Sequence, residues 1–327
     1  MKHISILVPN ESVLTSITDP RYMFTAVNEF LMKAGKEPLF KVQMVGLSPE
    51  VMLNQGSFSV HTDVLMKDVK KTDLVVVPAL SGDLKKALEL NKDFMPWIVA
   101  QYEKGAEVAS LCIGAFLLAS TGLLNGKKCS THWIYANEFR DMFPDVTLVD
   151  DRIITEQDRL YSSGGAASYW NLLLYLVEKY TDRQTAIFAS KFFAIEIDRK
   201  SQSPFIMFNG QKQHEDEPIR QAQEYIENNI MERITIEELA GKFAIGRRHF
   251  ERRFKKATNN TPVEYMQRVK IEAAKKQLET SQKNVSEVMY EVGYSDTKAF
   301  RTVFKKITGL SPVDYKNKYN KHAEVMM

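Results

Sequence analysis

A chain of 327 residues with 44% hydrophobic and 26% charged residues is long enough for about two domains, and this composition excludes a disordered or collagen-like protein. Its two cysteines exclude a disulfide scaffold and point to a reducing, cytoplasmic setting. The formal charge of +3 is unevenly spread: of the 44 Lys+Arg and 41 Asp+Glu, 21 and 14 fall from Pro218 onward, so a basic part at +7 follows an acidic part at −4. That asymmetry points to a polyanionic partner for one end of the molecule.

At the N-terminus the apolar run 4–8 gives way at once to Pro9-Asn10-Glu11, too short for the core of a signal peptide. Residues 1 to about 180 then alternate strand-like runs (4–8, 40–45, 74–77, 108–111, 160–163) with helical stretches (24–34, 94–104, 170–179). Such alternation predicts a parallel sheet wrapped by helices, with ligands at the carboxyl ends of the strands. The uncharged run 108–126 has the length of a membrane span. It is interrupted by Ser110, Gly114, Ser120, Thr121, Gly122 and Asn125, and reads instead as strand, tight turn and helix, with no membrane partner. Cys112 falls on that turn. A thiol at a strained elbow near a helix N-terminus is an activated one, whereas a free cysteine in an apolar run is also simply a small buried residue. The apolar helical segment 185–197 fits either core completion or a dimer seam. A polar stretch, 199–217, follows as a linker.

The basic part contains a repeat at an offset of 50 residues: Phe250 matches Phe300, Phe254 matches Phe304, Lys255-Lys256 matches Lys305-Lys306, and Pro262, Val263 and Tyr265 match Pro312, Val313 and Tyr315. Each copy reads as helix, turn, helix. Thr235 with Glu238 forms a capping box, and Ile236, Leu239, Ala240 and Phe243 form an apolar stripe. In the second helices the Phe pairs at i, i+4 point inward, which turns Arg247, Arg248, Glu251, Arg252 and Lys255, and likewise Thr297, Lys298, Arg301, Thr302 and Lys305, outward. Thr261-Pro262 opens a connecting helix to about residue 279, roughly 27 Å long, of the order of one DNA turn.

Residues 218–320 resemble the AraC/XylS-type DNA-binding domain through these paired units and through Val288-Met289-Tyr290-Glu291-Val292-Gly293-Tyr294-Ser295-Asp296, Phe300, Phe304-Lys305-Lys306, Gly309 and Ser311-Pro312. The resemblance implies double-stranded DNA as partner, with base-edge contacts from Arg248, Glu251, Arg252, Thr297, Lys298, Arg301 and Thr302. Arginine reads guanine and Glu accepts from cytosine. Lys255, Lys256, Lys305 and Lys306 suit phosphates.

The run Ser110-Leu111-Cys112-Ile113-Gly114-Ala115-Phe116-Leu117-Leu118-Ala119, followed by Thr121-Gly122-Leu123-Leu124-Asn125-Gly126 and Thr131-His132-Trp133, is similar to the PfpI-like, class I glutamine amidotransferase-like domain, in the subgroup fused to AraC domains, the GlxA-type regulators. In enzymes of that superfamily the elbow cysteine is a nucleophile assisted by a histidine and an acid. Here Ile113 stands where PfpI-type hydrolases place histidine, Glu11 is the only acid in the loop 9–16, Asn171 replaces an aspartate, and Ala79-Leu80 replace glycines. His132 is left as the candidate base for a residual nucleophile Cys112.

The expected protein is therefore an α/β parallel-sheet domain of PfpI-like, flavodoxin-like three-layer form (1–198), a linker (199–217) and an all-α domain with two helix-turn-helix units (218–320). Its expected function is sequence-specific transcriptional regulation, with a non-catalytic N-terminal domain that dimerises and senses a small-molecule effector near Asn10, Ala79, Cys112, Ile113, His132, Trp133 and Gly164. Neither metal nor cofactor is expected. The alternatives are a Cys112-dependent amidase or hydratase carrying a DNA-binding tail and a redox sensor at Cys112, for which Cys129, 17 positions away, shows no resolving geometry in the sequence.

Overall fold

The run Leu74–Val77 consists only of leucine and valine and is wholly buried, as an internal strand of a parallel sheet requires. In a computed structural model describing residues 1–320, it is the middle strand of a seven-stranded sheet. From one edge the order is Ile154–Gln157, Leu160–Ser163, Glu107–Ser110, Leu74–Val77, Lys2–Leu7, Phe40–Gly46 and Val64–Leu65. Only the pairing of Ile154–Gln157 with Leu160–Ser163 is antiparallel. Val77 pairs with Ser110, and Ser110 with Ser162, so Pro78, Leu111-Cys112 and Gly164 leave the sheet together at its carboxyl edge.

Two groups of helices cover the sheet. Leu14–Lys33, Tyr169–Tyr180 and Arg183–Phe192 pack on one another, and Ala115–Ser120 packs on Leu84–Leu90 and Phe94–Glu103. Several boundaries differ from the sequence expectation. The first helix begins at Leu14, ten residues before position 24, with Pro20 buried inside it rather than marking a break. Arg183–Phe192 stops short of position 197 because the chain turns through Ala194 at φ 54°. The edge strand Ile154–Gln157 and the hairpin Glu50–Leu53 with Phe58–His61 were not expected, since their polar, partly exposed sequences lack a continuous apolar run. No helix among the described residues is long and apolar enough to cross a membrane.

The chain divides into two compact units, Met1–Gln202 and a second that begins at Ser203. The second unit is all helical. Ile236–Lys242 and Arg247–Thr258 form one helix-turn-helix, Val285–Glu291 and Thr297–Thr308 the other, and Pro262–Thr280 connects them. At about 1.5 Å per residue the 19-residue connecting helix is roughly 28 Å long. Its Thr261 and Glu264 satisfy each other's backbone donors in a capping box, as do Thr235 and Glu238. Each helix pair closes over its own core: Phe250, Phe254 and Tyr265 with Ile219 and Leu239 in the first, Phe300, Phe304 and Tyr315 with Val288 and Leu278 in the second.

The segment after Gln202 is held rather than loose. Lys275, itself buried, donates to the Ile206 carbonyl at 2.6 Å and pairs with Glu272 at 2.7 Å, and Glu272 accepts from the Phe208 amide at 3.1 Å. The Phe208 ring meets Tyr265 edge to face at 5.2 Å. Asp216 then caps the helix Glu217–Asn228 while accepting two hydrogen bonds from Arg253, at 2.9 and 2.6 Å. That pairing holds the Asp216 carboxyl below its usual range.

Candidate nucleic-acid interface and the cysteine elbow

In both second helices the phenylalanines take the inner face, and the charged residues divide into two classes by their partners. Arg247 is paired with Glu237 and Glu251, and Arg253 with Asp216, so both are engaged within the unit. Arg248, Arg252, Lys255 and Lys256, and in the second unit Lys298, Arg301, Lys305 and Lys306, are exposed. None of these eight forms an ion pair among the described residues. Thr297 and Thr302 are exposed on the same second helix. Glu251 is half-buried and accepts from Arg247 Nε at 3.1 Å, so a base contact by its carboxylate requires that pair to open. The sequence pattern did not separate the internally paired arginines from the others: Glu251 lies one turn from Arg247 on the same helix, but Glu237 and Asp216 lie outside these helices.

At the sheet's carboxyl edge the strand Glu107–Ser110 passes through Cys112 into the helix Ala115–Ser120. Cys112 has φ 54°, the left-handed conformation of a nucleophile elbow. Its amide donates to Ser163 Oγ at 3.1 Å and its carbonyl accepts from Thr131 Oγ1 at 3.1 Å. The backbone geometry of the elbow is present, and the surroundings of its thiol favour the protonated form. Burial pushes the Cys112 thiol up to about 12, against only a weak opposing hydrogen bond from the Ile113 amide. His132 serves as a helix cap: its Nδ1 accepts from the Ile134 amide at 3.2 Å, and burial lowers its basicity. Among the described residues no hydrogen bond joins it to the Cys112 thiol. Cys129 is wholly buried, its thiol also pushed up to about 12, and both cysteines are free.

The remaining residues expected near a pocket are mostly committed elsewhere. The Asn10 backbone is clasped by the Asn91 side chain through two 2.8 Å bonds. Ala79 is buried, with its amide on Ser16 Oγ at 3.0 Å; Ile113 is buried, and Trp133 is half-buried with its ring 5.6 Å from that of His132. Gly164 has no room for a side chain, because the Gln202 amide lies 2.3 to 2.8 Å from where a Cβ would stand. One acid went unnoticed in the sequence. Asp19, on the first helix rather than in the loop 9–16, accepts from Tyr169 Oη at 2.7 Å and is raised by burial, and Tyr169 lies within electrostatic reach of Cys112. Glu11 instead pairs with Lys86 at 3.8 Å.

Raising the Cys112 thiol from 9.0 to about 12 leaves the folded chain on the order of a thousandfold less thiolate than the unfolded chain at neutral pH. Iodoacetamide is therefore expected to modify Cys112 slowly until denaturant is added. By linkage the folded state keeps this thiol neutral, so stability falls as pH rises from about 9 toward 12. Rapid alkylation of the folded chain at pH 7.5 would revive the enzyme reading.

Two family models match the chain: the DJ-1/PfpI family over residues 18–179 and a helix-turn-helix domain over residues 239–318. The chain is a DJ-1/PfpI domain joined to an AraC-type helix-turn-helix domain. Along most of its length it is similar to the HTH-type transcriptional regulator GbdR of Pseudomonas aeruginosa, at 24% identity over 285 residues, covering 86% of this chain and 76% of that protein. It is 27% identical over 214 residues to the HTH-type transcriptional regulator ArgR of the same species, covering 65% of each. In fold, the DJ-1/PfpI part is similar to the crystal structure of a THiJ/PfpI family protein from Pseudomonas syringae, with a TM-score of 0.50 at 16% identity over 60% of this chain and 76% of that one.

Proposed function

We propose that this chain is a sequence-specific, DNA-binding transcriptional regulator of the cytoplasm whose DJ-1/PfpI unit is a sensor rather than an enzyme. The observation that carries the reading is the set of exposed cations that make no ion pair among the described residues on two repeated second helices, set on a connecting helix of roughly one DNA turn. The names of the relatives that match over both units support it. In this reading Arg248, Arg252, Thr297, Lys298, Arg301 and Thr302, with Glu251 once released, read base edges. Lys255, Lys256, Lys305 and Lys306 neutralise phosphates.

A second copy is the proposed occupant of an apolar face on the first unit. There Phe188 and Phe192, 54% and 52% exposed, flank Phe30 at ring distances of 4.8 and 5.1 Å, with Tyr22 also exposed nearby on the first helix. The segment 185–197 thus contributes Ala186 and Ala189 to the core and leaves its aromatic side for a dimer seam.

Binding to a selected operator distinguishes the two kinds of contact. Arg301→Ala is expected to cost about 1 to 3 kcal/mol on the preferred site and little on random DNA, relaxing one base-pair position. Lys306→Ala is expected to weaken all sequences alike and to reduce the slope of log K against log salt by about 1. Equal losses on operator and random DNA for both variants would remove the assignment of base readout to Arg301.

A further inference from the structure

A cavity of about 350 Å³ lies within the first unit beneath the last turn of chain before Gln202. Its apolar wall is made by Ile154, Leu174 and Ile197. Its charged groups are unequal. Glu178 and Asp198 are both taken by Arg183, at 2.8 Å from Glu178 Oε2 and 3.1 Å from Asp198 Oδ1, and that arginine lowers the Asp198 carboxyl. Arg152 and Lys200 are exposed on the rim and make no direct ion pair among the described residues, although Lys200 lies within electrostatic reach of Asp198. A cavity near the lower end of the usual ligand-site volume, with an apolar wall and more positive than negative groups in its lining (Arg152, Arg199 and Lys200 against Glu178 and Asp198), complements a small anion with an apolar body.

The covering strap is firmly placed. The Ile153 amide donates to Lys200 O at 3.2 Å and the Gln202 amide to Asp151 O at 2.9 Å. The Gln202 side chain, 1% exposed, donates to the carbonyls of Thr131, Asp150 and Arg152 at 3.1, 2.8 and 3.3 Å. It thereby fills the space at Gly164, on the side of the Cys112 elbow, and the open volume is left under Ile197 to Lys200. The strap ends where the second unit begins, at Ser203. A ligand touching Ile197 and Lys200 would therefore act on the residues that lead directly into the DNA-binding unit.

We propose that this cavity binds a small organic carboxylate with a short apolar body, its charge met by Arg152 and Lys200 and its chain laid on Ile154, Leu174 and Ile197. This assignment rests on the sensor reading and gives the sensor a place and a ligand class. The probe is hexanoate, with neutral hexanamide as its isostere, titrated against the full chain at constant ionic strength while thermal unfolding of the first unit is followed. Hexanoate is expected to raise the midpoint saturably and hexanamide to leave it unchanged. The exposed pair Arg152→Gln with Lys200→Gln, whose unliganded midpoint reports intact folding, is expected to weaken hexanoate at least tenfold, and Cys112→Ser to bind it as the parent does. No saturable rise with hexanoate, an equal rise with hexanamide, or loss of binding in Cys112→Ser but not in the double variant would overturn the assignment. DNA binding is measured separately on the same preparation: hexanoate binding without DNA binding defeats the regulator reading alone, and DNA binding without hexanoate binding defeats the cavity alone.

Discussion

Gly114→Ala is expected to destabilise the DJ-1/PfpI unit by roughly 3 kcal/mol or more. A Cβ on Gly114 would stand 2.4 Å from Pro78 O, 2.5 Å from Val77 O and 3.0 Å from Pro78 C, all backbone atoms. Val77 O also accepts from the Leu111 amide at 2.9 Å, so retreat of that strand end breaks the hydrogen bond that sets the elbow. Neither side can yield through a rotamer change. Overpacking against side chains costs about 1 to 3 kcal/mol, and against fixed backbone roughly 3 kcal/mol or more. For a unit of this size that lowers the melting midpoint by roughly 6 to 12 °C. The measurement is thermal unfolding followed in the first unit. A midpoint within about 2 °C of the parent would show that the Val77-Pro78 turn is looser than its hydrogen bonds imply.

Phe300→Ala is expected to abolish operator binding through the stability of the second unit. Phe300 is fully buried, edge-on to Tyr294 at 5.3 Å and beside Phe304 at 5.7 Å, in the core that closes the second helix-turn-helix. Removing a buried phenylalanine costs about 3 to 5 kcal/mol. That is a large share of the roughly 5 to 15 kcal/mol that holds a small domain. Because Phe250 occupies the matching place beside Phe254, fully buried with rings 5.6 Å apart, Phe250→Ala is expected to cost a similar amount in the first helix pair. Both variants should leave the melting of the DJ-1/PfpI unit unchanged. Operator affinity retained within threefold in Phe300→Ala would show that the two recognition helices do not depend on these separate cores.

The repeat was legible because it records a steric demand. Phenylalanines four apart must point inward for either helix pair to close, and the turn chemistry around Thr261-Pro262 and Ser311-Pro312 caps the next helix in both copies. What the repeat hides is a difference of one residue. The first helices, Ile236–Lys242 and Val285–Glu291, are offset by 49 positions and the second by 50, so the second turn is one residue longer. The parallel sheet was readable for the same reason as its central strand: apolar runs too short for helices, spaced by helical stretches. The elbow at Cys112 was readable as a place but not as a chemistry. Whether a thiol is activated depends on burial and on the orientation of His132, and His132 is held by the Ile134 amide. The contacts that complete the DJ-1/PfpI unit are long-range. Gln202 meets Gly164 and Thr131, and Asp19 meets Tyr169, across separations that local pattern does not encode.

The most direct test of the regulator assignment is selection of bound sequences from a random DNA library by the full-length protein at near-physiological salt. Two helix-turn-helix units on one rigid connecting helix predict an enriched motif of two blocks about one helical turn apart, bound well above random DNA. A folded protein that enriches no sequence, with or without hexanoate, or binds random and selected DNA equally, would contradict the account.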